Sequence, residues 1–149
     1  MRRWTPHTTV ATVIQHEHAF LLVEERQGPG PTVFNQPAGH LEQGETLFDA
    51  ARRETREESG CTVALDGYLG LYVHTSSAGV TYHSHSFLAH VTGHVDAPLD
   101  TPIVAAHWLT PDAIKALSID GRLRSPLVLR RVQDALAGRR FPLELVVEG

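Results

Sequence analysis

Gly39-His-Leu-Glu-Gln-Gly-Glu45-Thr-Leu-Phe-Asp-Ala-Ala-Arg-Arg53-Glu54-Thr-Arg-Glu57-Glu58-Ser-Gly60 is the stretch from which the rest of this chain can be read. Glu54, Glu57 and Glu58 stand at i, i+3 and i+4 and so share one helical face. Like charges at that spacing repel. They also crowd the last turn before Gly60, where the helix dipole is already negative. Two local rules broken together mark a functional site. A divalent cation removes both penalties, and hard carboxylate oxygens suit Mg²⁺, with Mn²⁺ as a substitute. Gly39 and Gly44 let the preceding loop turn tightly and bring its carbonyls, that of Gly39 first, toward such an ion. The competing reading is a solvated acidic face.

Working outward, a helix is predicted from about Leu47 to Ser59. Thr46 with Asp49 forms its capping box and Gly60 its left-handed stop. Thr55 falls on the inward stripe with Leu47, Phe48 and Ala51, where its hydroxyl can bond the Ala51 carbonyl. On the amino-terminal side, Thr8 to Gln15 and Ala19 to Glu24 read as a strand hairpin around His16 to His18, and Val33 to Gln36 as a short strand stopped by Pro37. On the other side, Thr62 to His74 and Val80 to Val91 are two long strands joined at Ser76 to Gly79, and Val104 to Leu109 is a further strand. Thr110-Pro111 and Ser125-Pro126 each place a cap residue before a proline at the first helical position, the second opening a helix that runs to about Ala137. Strands interleaved with helices in this way predict a mixed sheet sandwiched between helices, in one domain over residues 1–149.

Composition sets bounds on function. The net charge is −4 and ten histidines are present. No basic run or arginine-aromatic stripe points to nucleic acid, and no apolar run approaches a membrane span. The amino terminus lacks a stretch of signal-peptide length. A single cysteine forms no internal disulfide, which fits the reducing cytoplasm. A monomer or small homo-oligomer is expected.

Gly39, five residues, Glu45, seven residues, then Arg53-Glu54-x-x-Glu57-Glu58-x-Gly60 matches the Nudix box at all seven fixed positions, and with that match the solvated-face reading is rejected. The chain resembles the Nudix hydrolases. Thr55 and Cys61, where the family usually has bulky aliphatic residues, are read as packing variations. The resemblance implies the Nudix α/β/α sandwich, with the catalytic loop-helix at residues 39–60. It implies that Glu54, Glu57 and Glu58 bind the metal, that Arg53 orients them, that Glu45 fixes the loop, and that Glu54 is the best candidate for general base. Some relatives place an extra ligand near Asp96 and Asp100, although loop aspartates are ordinarily turn formers.

Phe34-Asn-Gln-Pro-Ala-Gly-His-Leu-Glu42, Leu123-Arg-Ser-Pro-Leu-Val128 and Arg140-Phe-Pro-Leu-Glu144 further resemble the NudJ-type subgroup of bacterial phosphatases. That likeness implies phosphate release from nucleoside tri- and diphosphates. It extends to hydroxymethylpyrimidine pyrophosphate and thiamine diphosphate. Two alternatives stand: another Nudix specificity, such as dinucleoside polyphosphates or nucleoside diphosphate sugars, and a non-catalytic ligand-sensing module, which would ordinarily have lost box glutamates.

Outside the box, Arg124 precedes a helix start, a natural anion site, and is a candidate phosphate clamp; a surface arginine is the alternative. Asn35, Gln36 and His40 flank the metal loop and are candidate substrate contacts. Trp4 and Tyr72 are surfaces for base stacking or for packing. Trp108 reads as core. His83 and His85 share a face, with His74 opposite, but no cysteine is available to complete a zinc set, so surface or cleft-lining roles are expected.

Overall fold

The computed structural model describes residues 2–149. Strands β1 (His7–His16) and β2 (Ala19–Glu25) form the expected hairpin, and Glu17 takes a left-handed φ of 55° in its turn. β3 (Val33–Asn35) and β4 (Ala38–His40) lead into α1 (Leu47–Ser59). β5 (Cys61–Thr75), β6 (Thr81–His94) and β7 (Ile103–Leu109) follow, then α2 (Pro111–Ile119), α3 (Leu127–Leu136) and a 3-10 turn at Leu143–Leu145. Among the described residues no helix is long and apolar enough to cross a membrane.

The elements build a seven-stranded sheet in the order β3-β2-β1-β6-β5, with β4 on β1 and β7 on β2. β1 runs parallel to β6 from His7↔Tyr82 to Ile14↔Ala89, and the other pairs are antiparallel, so the sheet is mixed. Thr9 to Ile14 are buried on both sides of β1, as a central strand requires. Val10 and Phe87 face α1 through Ala50 and Ala51. Val13, Leu69 and Tyr72 face α2 and α3 through Ile114, Val128 and Val132. Helices therefore cover both faces, as the sequence predicted.

One feature was not legible in advance. β1 and β2 are in register only at Gln15↔Phe20 and His16↔Ala19. Beyond that point the hairpin splays. β4, which leads into the loop before α1, takes over the free edge of β1 through Thr9↔His40, Val10↔Gly39 and Ala11↔Ala38. β2 instead carries β3 and β7. A cleft of about 550 Å³ is lined from both walls, by Thr9, Tyr82 and Ser84 on one and by Glu25 and Asn35 on the other.

Candidate metal centre and substrate cleft

α1 is fixed at both ends by its own sequence. The Thr46 hydroxyl accepts the Asp49 N–H at 3.1 Å, and Gly60, at φ 76°, donates to the Arg56 carbonyl at 2.9 Å. Between the caps, the Thr55 hydroxyl lies 2.7 Å from both the Ala51 carbonyl and the Thr12 hydroxyl, all buried, which locks the helix's rotation on β1. The departure from a bulky residue at Thr55 is thus filled by a polar pair. In this orientation Glu54 and Glu58 point at β4.

Glu58 is 8% exposed, and its Oε1 accepts the Ala38 N–H at 2.8 Å. Glu54 lies against Gly39, where a Cβ would fall on its carboxylate. Gly39 is therefore needed for close approach, since its φ lies outside the left-handed region; Gly44, at φ 83°, is the loop glycine that needs conformational freedom. Arg53 is the hub. Its Nε and Nη2 donate to the two carboxylate oxygens of Glu45 at 2.6 and 3.0 Å, its Nη1 donates to Glu54 at 2.8 Å and Glu57 at 3.2 Å, and its Nη2 also reaches the His40 carbonyl at 3.1 Å. All five N–H groups of the guanidinium are used. Glu45 also accepts the Glu42 N–H at 3.1 Å, which ties the loop to itself.

The carboxylates that converge differ from the trio expected. Ligand oxygens of Glu54, Glu58 and Asp100 lie within 4.8 Å of one another. Glu57 is turned toward Arg53, four residues earlier on the helix, and its side chain is 34% exposed. Its backbone carbonyl accepts the Asp100 N–H at 3.0 Å, so the helix end itself delivers Asp100 to the cluster. Three oxygen donors without nitrogen or sulfur fit a hard divalent cation.

The electrostatics show how costly the cluster is on its own. Burial pushes the Glu58 carboxyl up to about 8, against the pull of the Ala38 N–H, with Glu25, Glu54 and Asp100 pushing the same way as burial. Burial also raises Glu54, although Arg53 opposes it. A carboxyl raised in the folded state binds its proton there while the unfolded chain has lost it. Stability of the metal-free protein is therefore full below the ordinary carboxylate range and falls as pH rises toward 8. We expect the melting temperature in EDTA to decline between about pH 5 and 8, and a saturating divalent cation to restore it at pH 8. A metal-free melting curve that is flat over that interval contradicts this.

The other expected residues separate into two groups. Arg124 lines the cleft. Its Nη1 donates to Glu25 at 2.9 Å, and the Gln27 amide oxygen, in the orientation that satisfies both of its atoms, accepts from Nε at 2.9 Å and Nη1 at 3.1 Å. The Ser125 hydroxyl accepts the Leu127 N–H at 3.2 Å, but Pro126 rather than Ser125 stands at the cap position of α3. Asn35 and His40 also line the cleft. The His40 ring lies edge-on to His7 and Tyr82, and burial lowers its pKa, with His7 adding to the effect. Gln36 does not join them. It is 1% exposed, donates to the Val128 carbonyl at 2.8 Å and accepts from Arg131 at 3.0 Å, so it holds α3 against the sheet. Trp108, expected in the core, is 43% exposed because β7 is an outer strand. Tyr72 packs under α3 with its O–H on Asp134 at 2.7 Å, while Trp4 is exposed. His85 shares a hydrogen bond with the Tyr68 hydroxyl at 2.9 Å rather than turning to a metal set.

Sequence reasoning missed Glu25 and Arg131, both buried and both on the cleft wall. A charged residue at the end of a buried strand and one on the inward stripe of α3 were the available signals.

The NUDIX domain family model matches residues 5–131. Phosphatase NudJ of Escherichia coli is 34% identical over 142 residues, 95% of this chain and 90% of that protein. Among solved structures, a NUDIX hydrolase from Nitrosomonas europaea superposes with a TM-score of 0.92 at 39% identity, covering 97% of this chain and 98% of that one. A UDP-X diphosphatase, at 18% identity and a TM-score of 0.73 over 95% of this chain and 68% of that one, shares the fold alone.

Proposed function

Because the chain belongs to the Nudix family and is a hydrolase of it, we propose that it cleaves the terminal phosphoanhydride of nucleoside tri- and diphosphates, releasing phosphate, with Mg²⁺ as cofactor. Hydroxymethylpyrimidine pyrophosphate and thiamine diphosphate are substrates of the same chemistry. The observation that carries the reading is the convergence of Glu54, Glu58 and Asp100 at a cleft whose wall carries Arg124.

Glu54, Glu58 and Asp100 would hold the ion, with the Gly39 carbonyl beside Glu54 and Glu57 as a further donor on the open side. When bound, it would supply charge neutralisation and polarisation of the phosphoryl oxygens. The chain supplies the rest. Arg53 holds Glu54 by one oxygen and keeps the carboxylate in place. Glu54, whose carboxylate lines the cleft and is held at one oxygen by Arg53, is the candidate general base. Arg124 clamps a substrate phosphate with its fork of donors. The family match ends at residue 131, but Phe141 pairs with Tyr68 and Leu143 and Val146 pack on the α1 side of the sheet, which supports one domain over the whole chain.

A phosphate-release screen over nucleotides and pyrimidine pyrophosphates tests the proposal. Turnover should vanish in excess EDTA and return with Mg²⁺; undiminished turnover in EDTA sinks it. Phosphorus NMR should show inorganic phosphate as the product from a nucleoside triphosphate, whereas pyrophosphate with monophosphate would move the enzyme to another Nudix specificity. Arg124→Ala should raise KM by about tenfold, the loss of a charge-assisted contact of roughly 1.5–3 kcal/mol, and Arg124→Lys should recover only part of it. Unchanged kinetics in both variants would assign Arg124 to holding Glu25.

A further inference from the structure

Arg131 sits on α3 with 5% of its surface exposed and lines the cleft from within. Its partners are all neutral. Nε donates to the Ser86 hydroxyl at 2.8 Å, Nη2 to the Ser84 hydroxyl at 3.0 Å and Nη1 to the Gln36 amide oxygen at 3.0 Å. The Tyr72 ring lies beneath its guanidinium carbon at 5.4 Å. Among the described residues it has no carboxylate partner, whereas Arg53 and Arg124 both do. A buried guanidinium without a counter-charge is a costly arrangement. Arginine has five N–H groups; with three used, one remains on each terminal nitrogen.

The surroundings add donors. The Ser84 hydroxyl accepts from Arg131 and so keeps its proton to give. Thr9 pairs with Ser84 across β1 and β6 and lines the same cleft. A cation and hydroxyl donors at one spot select an acceptor-rich anion.

We propose that Arg131, with Ser84 and Thr9, forms a subsite for a second phosphate of the substrate, one that is not attacked at the acidic cluster. This rests on the reading of the cleft as a phosphoanhydride hydrolase site, and it makes Arg131 the residue through which that site reads the charge of its substrate rather than the base. The ligand completes the ion pair that the fold leaves open.

The test compares wild type with Arg131→Gln and Arg131→Lys. In steady state with a nucleoside diphosphate and Mg²⁺, Arg131→Gln should raise KM by about tenfold or more, with a much smaller change in kcat, and Arg131→Lys should restore part of the loss. A purely structural arginine would give no such split and no rescue by lysine. Separately, calorimetry in EDTA with inorganic tripolyphosphate should show binding to wild type that weakens by about tenfold in Arg131→Gln. Unchanged tripolyphosphate affinity in the folded variant overturns the proposal, as does Arg131-dependent binding of uridine, which would place the base there. Should Arg131→Gln fail to fold, Thr9→Val carries the test: its affinity for tripolyphosphate should fall several-fold, and equality with wild type overturns the subsite. If wild type hydrolyses nothing but binds tripolyphosphate through Arg131, the enzymatic reading fails and the subsite stands. If hydrolysis proceeds unaffected by Arg131→Gln, the reverse holds.

Discussion

Glu58→Gln should lower turnover by about a hundredfold or more while leaving the metal-free protein at least as stable as wild type. The two halves of this expectation have one cause. Glu58 is almost fully buried beside Glu54, Asp100 and Glu25, and burial raises its pKa to about 8. Its charge is useful only when a cation is present. Glutamine keeps the shape and keeps an oxygen for the Ala38 N–H, so the link between helix and β4 survives. What disappears is the charge, and with it both the attraction that would hold the proposed cation and the penalty of ionising a buried carboxyl. The melting temperature in EDTA at pH 8 should therefore rise, by about 2–4 °C for each kcal/mol of relieved strain in a chain of this size, and its decline with pH should flatten. Addition of Mg²⁺ should stabilise the variant less than wild type. Wild-type turnover, or a variant much less stable than wild type in EDTA, would contradict the assignment.

Gly39→Ala should be nearly as damaging to activity while leaving stability close to that of wild type. Alanine's methyl would occupy the space where the Glu54 carboxylate lies. The φ of Gly39 is one that alanine adopts readily, so no backbone strain arises. Something must move, and the cheapest movement is the far end of the Glu54 side chain. That end is the candidate ligand and base. We expect kcat to fall by about a hundredfold, on the scale of other perturbed metal and base positions, with a melting temperature within a few degrees of wild type. Loss of the fold instead of the activity would mean that β4, and not Glu54, gives way. Normal kcat would show that Glu54 needs no contact with this backbone.

Much of this arrangement was legible because it is local. The caps at Thr46, Gly60 and Thr110, the Ser125 bond to the Leu127 N–H, and the bond from Thr55 to the Ala51 carbonyl depend on residues within four positions of each other. The Nudix box is local too, and its spacing alone places Glu54 and Glu58 on one face. What was missed or left open depends on distant parts of the chain. Asp100, named from the sequence only as an extra ligand that some relatives have, joins the cluster with its N–H on the carbonyl of Glu57, more than forty positions earlier. The exchange of Glu57 toward Arg53 follows from competition among three carboxylates for one guanidinium, which spacing cannot resolve. β4 is three residues long, too short to show alternation, and exists because β1 offers it an edge. Gln36 has the polarity of a binding residue, and only the position of α3 reveals that its amide is consumed by Val128 and Arg131.

The splayed hairpin has a consequence for how this enzyme could be re-engineered. The acidic residues of the proposed reaction centre come from α1 and from the segment before β7, while the groups that would read the rest of the substrate stand on β1, β3, β6 and α3. Apart from His40, the groups proposed for chemistry and for recognition therefore stand on different elements. A library confined to Asn35, His74, Tyr82 and Leu127, which line the cleft but lie outside the acidic cluster, should yield variants with altered substrate preference that keep the divalent-cation dependence proposed for the parent. Mutations at the acidic residues of α1 should instead change the rate for every substrate by a similar factor.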